Sequence, residues 1–239
     1  MIVLNKNSTL SRLKYGLIVS CQPRLKSALD HPRFVAALAA AAEEQGAVAV
    51  RIRGVRDIRS VGRAVHIPII GIEKINDPGS EVYITPTLES IRRVYRAGAQ
   101  IIAMDATERS RPRGQSLADI LAAAKDGIKA LLMADVATLK QGVEAASLGF
   151  DMVSTTLYGY TKETSHCRGP AFQLARQLVR EVDIPVILEG RVHKPDQVRK
   201  AFDAGVYAIV VGTAITDFEW LARRFIEACP NGSARRNEK

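Results

Sequence analysis

"IPVILEGRVHKPDQVRKAFDAGVYAIVVGTAIT", residues 184–216, carries the repeating unit of this chain. A short β-branched run, "IPVILEGR", is followed by "KPDQVRKAFDAG", which has helical spacing and closes on Gly205. A second β-branched run, "AIVVGTAI", comes next. Neither run alternates apolar with polar residues. Strands buried on both faces read this way, and parallel strands covered by helices are buried on both faces.

The same unit recurs upstream. "GLIVSCQ" (16–22), "AVAVRIRG" (47–54), "IPIIGIEK" (67–74), "QIIAMDAT" (100–107), "KALLMADV" (129–136) and "MVSTTLYG" (152–159) bring the strand candidates to eight. Helical spacing lies between them in "PRFVAALAAAAEEQG", "TLESIRRVYRAG", "SLADILAAAKDG", "TLKQGVEAASLG" and "GPAFQLARQLVREV". Thr87, Ser116 and Thr138 stand where N-caps belong, with Glu89 and Asp119 near the helix starts. Gly46, Gly98, Gly127, Gly149 and Gly205 stand where helices close. Eight strand and helix alternations predict a single-domain (β/α)8 TIM barrel over 1–239. The competing doubly wound sheet would want a GxGxxG after the first strand, and none is there.

Three further segments carry expectations. "NSTLSRLKY" predicts a helix over about 5–15 that plugs the barrel floor, and residues 75–87, "INDPGSEVYITPT", read as a lid. The stretch of about 230–239, "PNGSARRNEK", reads as a disordered tail.

With 239 residues and 47% hydrophobic content, the chain can bury a full core. No apolar run approaches the roughly 20 residues that span a bilayer, and the start lacks a signal-type h-region, so a cytoplasmic location is expected. Cys21, Cys167 and Cys229 are odd in number and lack metal-ligand spacing, which predicts reduced thiols and no zinc. The charge of +9 is dispersed and only 5% of residues are aromatic, which favours a small anionic ligand over nucleic acid.

Polar residues gather at the carboxyl ends of the strands, the rim where such barrels build active sites. They are Gln22, Arg51 and Arg53, Lys74, Asp105, Asp135, Tyr158, Glu189 with Arg191, and Gly212 with Thr213. Singly, each has a plain structural reading: Asp105 or Asp135 can cap a helix, Arg51 can pair with Asp105, Tyr158 can be core, and His66 reads as surface. Together they are harder to explain by stability, because unpaired burial of so many charges is costly. In a ring of eight strands taken in order, the third and seventh are opposed, so Lys74 and Glu189 face each other across the mouth. Two proton-handling groups so placed suit epimerisation or isomerisation at a carbon next to a carbonyl. Desolvation and the charge of Arg51 would lower the pKa of Lys74, while Glu73, its strand neighbour, faces away. Glycines at 190 and 212 let backbone N–H groups approach a phosphate.

These residues resemble the N-acylglucosamine-6-phosphate 2-epimerases, which interconvert N-acetylmannosamine 6-phosphate and N-acetylglucosamine 6-phosphate in sialic acid breakdown. "VSCQP", "SEVYITPT", "IIAMDAT", "LMADVAT", "STTLYGYT", "PVILEGRVHKPDQ" and "VVGTAIT" carry the resemblance across nearly the whole chain. It implies a barrel that needs no metal or organic cofactor and acts on a small sugar phosphate. It also implies Lys74 and Glu189 as catalytic residues, with Gln22, Arg51 and Asp135 on the sugar and Gly190 and Gly212 at the phosphate. Asp105 and Tyr158 join the expected sugar contacts, and Arg191 and Thr213 the phosphate contacts. The family usually follows "AIT" with an arginine that reaches the phosphate, whereas Asp217 stands here. Arg191, Lys194 and Lys162 are the candidate replacements. A Schiff-base lyase or aldolase using Lys74 as nucleophile, and a non-enzymatic basic binding barrel, are the rival readings. A homodimer is admitted.

Overall fold

In a computed structural model that describes residues 6–230, the chain opens with α1 (Lys6–Leu13) and then alternates. The order is β1 (Leu17–Cys21), α2 (Pro32–Glu44), β2 (Ala49–Arg53), α3 (Val55–Val61), β3 (Ile69–Ile72), α4 (Leu88–Arg96), β4 (Ile101–Asp105) and α5 (Leu117–Lys125). It continues with β5 (Leu131–Asp135), α6 (Leu139–Leu148), β6 (Met152–Ser154), α7 (Phe172–Glu181), β7 (Val186–Glu189), α8 (Pro195–Asp203), β8 (Ala208–Val211), α9 (Thr213–Thr216) and α10 (Phe218–Glu227). All eight strands pair in parallel, in chain order, and β1 closes on β8. The chain is the expected (β/α)8 barrel. The tail expected from about residue 230 lies, beyond Pro230, outside the described residues.

The lack of alternation in the strands now has its physical cause, because there are two cores. Ile18, Ala49, Ile70, Ile101, Met133, Met152, Ile187 and Ala208 fill the barrel interior. Their strand neighbours Val19, Val50, Ile102, Ala134, Val153, Leu188 and Ile209 pack outward, with Ile91, Leu121 and Leu178 of the helices. Successive strand residues face opposite ways, and here both ways are apolar. The outward layer is tight at Gly71, where an added Cβ would lie 2.5 Å from Val94 Cγ1 and 2.7 Å from Ala99 Cβ.

Helix ends follow their chemistry. Thr87, Ser116 and Thr138 accept from the backbone N–H groups of Ser90, Asp119 and Gln141, and Thr138 with Gln141 forms a capping box. Gly46, Gly98, Gly149 and Gly205 take positive φ as expected. Gly127 does not, because Ile128 N–H donates to Ala124 C=O (2.9 Å) and continues the helical pattern. Three helices, α3, α9 and α10, have no counterpart among the six helical spacings of the sequence. α3 and α9 have seven and four residues, too few to show a period. α10 has apolar positions at helical spacing, Phe218, Leu221 and Phe225, but leaves them exposed and buries none of its residues.

α1 closes the floor: Leu13 lies in the interior core, Tyr207 Oη donates to Leu10 C=O (3.1 Å), and Lys6 pairs with Asp151 (3.3 Å). At the other end residues 75–87 fold back over the rim. Lys74 bridges antiparallel to Ile84, Thr85 N–H donates to Glu73 C=O (2.7 Å), and Val82 and Ile84 are buried. Ser110, in the loop after β4, receives the N–H groups of Glu81 and Val82 at 3.0 and 3.2 Å. Among the described residues no helix is long and apolar enough to cross a membrane.

Gly71→Ala is expected to overpack the wall between β3 and α4 and to lower stability by about 1–3 kcal/mol, read as a lowered urea midpoint.

Candidate active site

The inward face of each strand continues past the apolar core onto the rim. From Ala49 the inward series reaches Arg51; from Ile70 and Ile72 it reaches Lys74; from Met133, Asp135; from Ile187, Glu189; and from Ile18, Ser20 and Gln22. Met152 leads in the same way through Ser154 to Thr156. Glu73, of opposite parity, pairs with Arg93 on α4 at 2.7 Å, as expected.

At the centre lies Arg51, 1% exposed. Its guanidinium meets both carboxylate oxygens of Asp135, Nη1 to Oδ1 at 3.1 Å and Nη2 to Oδ2 at 2.6 Å. Nη1 also donates to Glu189 Oε2 at 2.7 Å. Thr156 completes the cluster: its hydroxyl donates to Asp135 Oδ1 (2.7 Å), sits 3.1 Å from Glu189 Oε2 and lies 2.9 Å from Ser154 Oγ. The two carboxylates raise the pKa of Arg51 further above its ordinary value, against the opposing effect of burial.

Lys74 and Glu189 are displaced in opposite directions. The pKa of Lys74 falls below the ordinary 10.5, through dehydration first and then the positive fields of Arg51 and Arg53. Lys74 is exposed at the cavity mouth, so a ligand filling the cavity would deepen that dehydration. The pKa of Glu189 rises above the ordinary 4.5, because its burial outweighs the opposing field of Arg51. Both shifts lean toward the uncharged form of each group, the amine on one side and the carboxyl on the other.

A cavity of about 290 Å³ opens over these groups, the lower end of the size range of small-molecule sites. Gln22, Arg51, Lys74, Glu189, Gly190, Arg191, Gly212 and Thr213 all line it. Gln22 donates to Ser20 Oγ (2.9 Å), while its own Oε1 is buried without a hydrogen-bond partner among the described residues. Tyr83 and Ile84 of the folded-back segment, Thr156, Tyr160, His193 and Asp217 line it as well. Strand parity could have found Thr156 in "STTLYGYT"; nothing in the sequence marks Tyr160 or His193. Among the described residues no group of three or more His, Cys, Asp or Glu could hold a metal ion.

The family described as "Putative N-acetylmannosamine-6-phosphate epimerase" matches residues 35–231. The chain belongs to that epimerase family. A relative from Caldanaerobacter subterraneus named "Putative N-acetylmannosamine-6-phosphate 2-epimerase" is 44% identical over 218 residues, covering 91% of this chain and 92% of its own. One of the same name from Cutibacterium acnes is 46% identical over 203 residues, covering 84% and 88%. The solved N-acetylmannosamine-6-phosphate 2-epimerase from Clostridium perfringens superposes with a TM-score of 0.88 at 42% identity, over 92% of this chain and 96% of that one. A thiamine phosphate pyrophosphorylase from Pyrococcus furiosus, at 20% identity and TM-score 0.59, shares the fold.

In this member of the epimerase family, three residues expected at the ligand stand outside the cavity lining. Asp135 is fully buried behind Arg51 and is filled by that guanidinium and Thr156. Asp105 is also fully buried, accepting from Thr107 N–H (2.9 Å), Thr107 Oγ1 (2.7 Å) and Arg109, while Arg111 donates to its backbone carbonyl. It anchors the loop that carries Ser110 rather than pairing with Arg51. Tyr158 packs against the core between barrel and helices, with its hydroxyl at Cys167 and its carbonyl accepting from Arg191 (3.2 Å). Arg191 lines the cavity, but its guanidinium is held by the carbonyls of Tyr158, Gly159 (2.9 Å) and Cys167 (3.3 Å). Gly159 permits this, since a Cβ there would collide with that guanidinium. Arg53 pairs with Asp30 at 2.9 Å. His66 is on the surface, as expected.

Arg51→Met would leave Asp135 a buried charge without its cation. A loss of about 3–5 kcal/mol in stability is expected, measured by urea unfolding at neutral pH.

Proposed function

We propose that this cavity interconverts N-acetylmannosamine 6-phosphate and N-acetylglucosamine 6-phosphate by moving the proton at C2. The observation that carries the reading is that Lys74 and Glu189, from opposed strands of the closed barrel, line one cavity, with the pKa of the first lowered and that of the second raised. With the sugar open, C2 lies next to the C1 carbonyl. Neutral Lys74 removes the C2 proton from one face; the electron pair moves into the C1–C2 bond and onto the carbonyl oxygen. Protonated Glu189 returns a proton to the opposite face of C2, which inverts it. The reverse reaction exchanges the roles, with Glu189 ionised and Lys74 protonated, so the same single proton serves both directions. Arg51, which lines the cavity beside Glu189 and donates to it, supplies positive charge for the enolate oxygen. Gln22 offers its unpartnered Oε1 to a sugar hydroxyl. Asp135 and Thr156 act through Arg51 and Glu189, which they hold in place.

In deuterated water, solvent deuterium is expected at C2 of the product by NMR. Lys74→Ala and Glu189→Gln are each expected to slow its appearance by about 10²–10⁴-fold; near-normal exchange in Lys74→Ala would end the assignment. The depressed, exposed amine also suits a Schiff-base nucleophile. Borohydride added during turnover separates the two readings, and no sugar adduct on Lys74 is expected.

The pH dependence follows from the same proton. The rate is lost at low pH when both groups are protonated and at high pH when both are not. kcat/KM is therefore expected to be bell-shaped, its acid limb above the ordinary carboxylate value of 4.5 and its basic limb below the ordinary lysine value of 10.5.

A further inference from the structure

The end of the cavity at Gly190, Gly212 and Thr213, which the epimerase reading gives to the phosphate, also contains Asp217. A carboxylate there opposes an anion unless a cation accompanies it. The three cations suggested by the sequence are engaged or distant. The Arg191 guanidinium is held by three backbone carbonyls and stacks over the Tyr160 ring at 4.5 Å. Lys162 pairs with Glu81 at 3.4 Å. Lys194 is exposed ahead of α8 and is not among the cavity residues. His193 lines the cavity, but burial and the charges of Arg224 and Arg191 lower its pKa below 6.5 and keep it neutral at neutral pH.

We infer that Arg24 is the cation of this subsite and that Asp217 is its positioning residue. Arg24 lies in the loop after β1, two residues beyond Gln22; it is not itself a lining residue of the cavity but is paired with one, Asp217. Its Nε approaches Asp217 Oδ2 at 3.3 Å and Glu219 Oε2 at 3.7 Å. Both contacts use the Nε edge, and neither Nη group has a hydrogen-bond acceptor among the described residues. The carboxylate cannot swing away freely, because its Oδ1 accepts from Trp220 N–H at 2.8 Å and caps α10. At 45% exposure the Arg24 side chain retains the freedom to bring its Nη fork to an anion beside Gly212. A guanidinium fork matches the oxygens of a phosphate monoester, and a carboxylate on its Nε edge orients it without blocking them. Asp217 thus changes from a repulsive group into a tether.

The identity of the ligand rests on the epimerase reading, and the test separates the two. Arg24→Gln is expected to raise KM for N-acetylmannosamine 6-phosphate about 10–100-fold and leave kcat within about threefold. It should weaken competitive inhibition by inorganic phosphate in the same proportion. Arg24→Lys should fall between. The double variant Arg24→Gln/Asp217→Arg, which puts a cation directly on the cavity wall, should recover most of the lost affinity. A KM unchanged within about twofold in Arg24→Gln, or a fall in kcat with KM unchanged, overturns the inference. If the unaltered protein does not turn over the sugar phosphate, the epimerase reading fails. Calorimetry with inorganic phosphate then decides Arg24 alone: binding that Arg24→Gln abolishes upholds it. Equal binding in both proteins, or none in the unaltered one, overturns it.

Discussion

A guanidinium taken almost wholly out of water organises this barrel. Arg51 occupies an inward position of β2 where every neighbouring strand offers an aliphatic side chain one layer below. Burial of an unpaired charge is prohibitive, so the site is stable only with carboxylates arranged around the cation. Asp135 meets it from β5 in a two-pronged contact, Glu189 meets it from β7, and Thr156 ties the two acids together. Three strands beyond β2 are thereby locked in relative height. The same cation lies close enough to Lys74 to lower its pKa, and its field only partly offsets the effect of burial on Glu189. One buried charge therefore supports the fold, orients Glu189 and acts on the pKa of both Glu189 and Lys74.

The rim shows a second use of arginine. Loops after the strands have carbonyls that no helix or sheet satisfies, and a guanidinium with five donors can gather several of them. Arg191 does so for the loop after β6, from a left-handed backbone position with φ of 56°. Arg111 does so for the loop after β4, where Asp105 also gathers Thr107 and Arg109. That loop holds Ser110, and Ser110 holds the segment that brings Tyr83 and Ile84 over the cavity. Asp105 and Asp135 face each other in register across β4 and β5, yet one secures a loop and the other secures Arg51. Their difference arises from which cation reaches each carboxylate.

Much of the site was legible because period-two geometry is strict. Once "IPIIGIEK" and "IPVILEGR" are strands in a closed ring, Lys74 and Glu189 must point inward and Glu73 outward. Thr156 obeys the same rule, but a threonine between "ST" and "LYGY" has no chemical signature until its oxygen neighbours are known. Tyr160 and His193 belong to loops, where no period applies. α3 eluded the pattern through brevity, whereas α10 has apolar residues at helical spacing, Phe218, Leu221 and Phe225, that it leaves exposed.

The order of strands and helices, the inward set of rim residues and the family were determined by the sequence alone, since each follows from local periodicity, caps and matched motifs. Only the tertiary structure decided how those rim residues divide between the ligand and one another. Hydrogen bonding and charge pairing depend on distances between strands far apart in the chain, and no local pattern encodes them. Asp135 and Asp105 are drawn away to cations, Tyr158 into packing and the head of Arg191 to loop carbonyls. Asp217, read from the sequence as a repulsive substitution, takes its meaning from Arg24, 193 positions away and 3.3 Å distant.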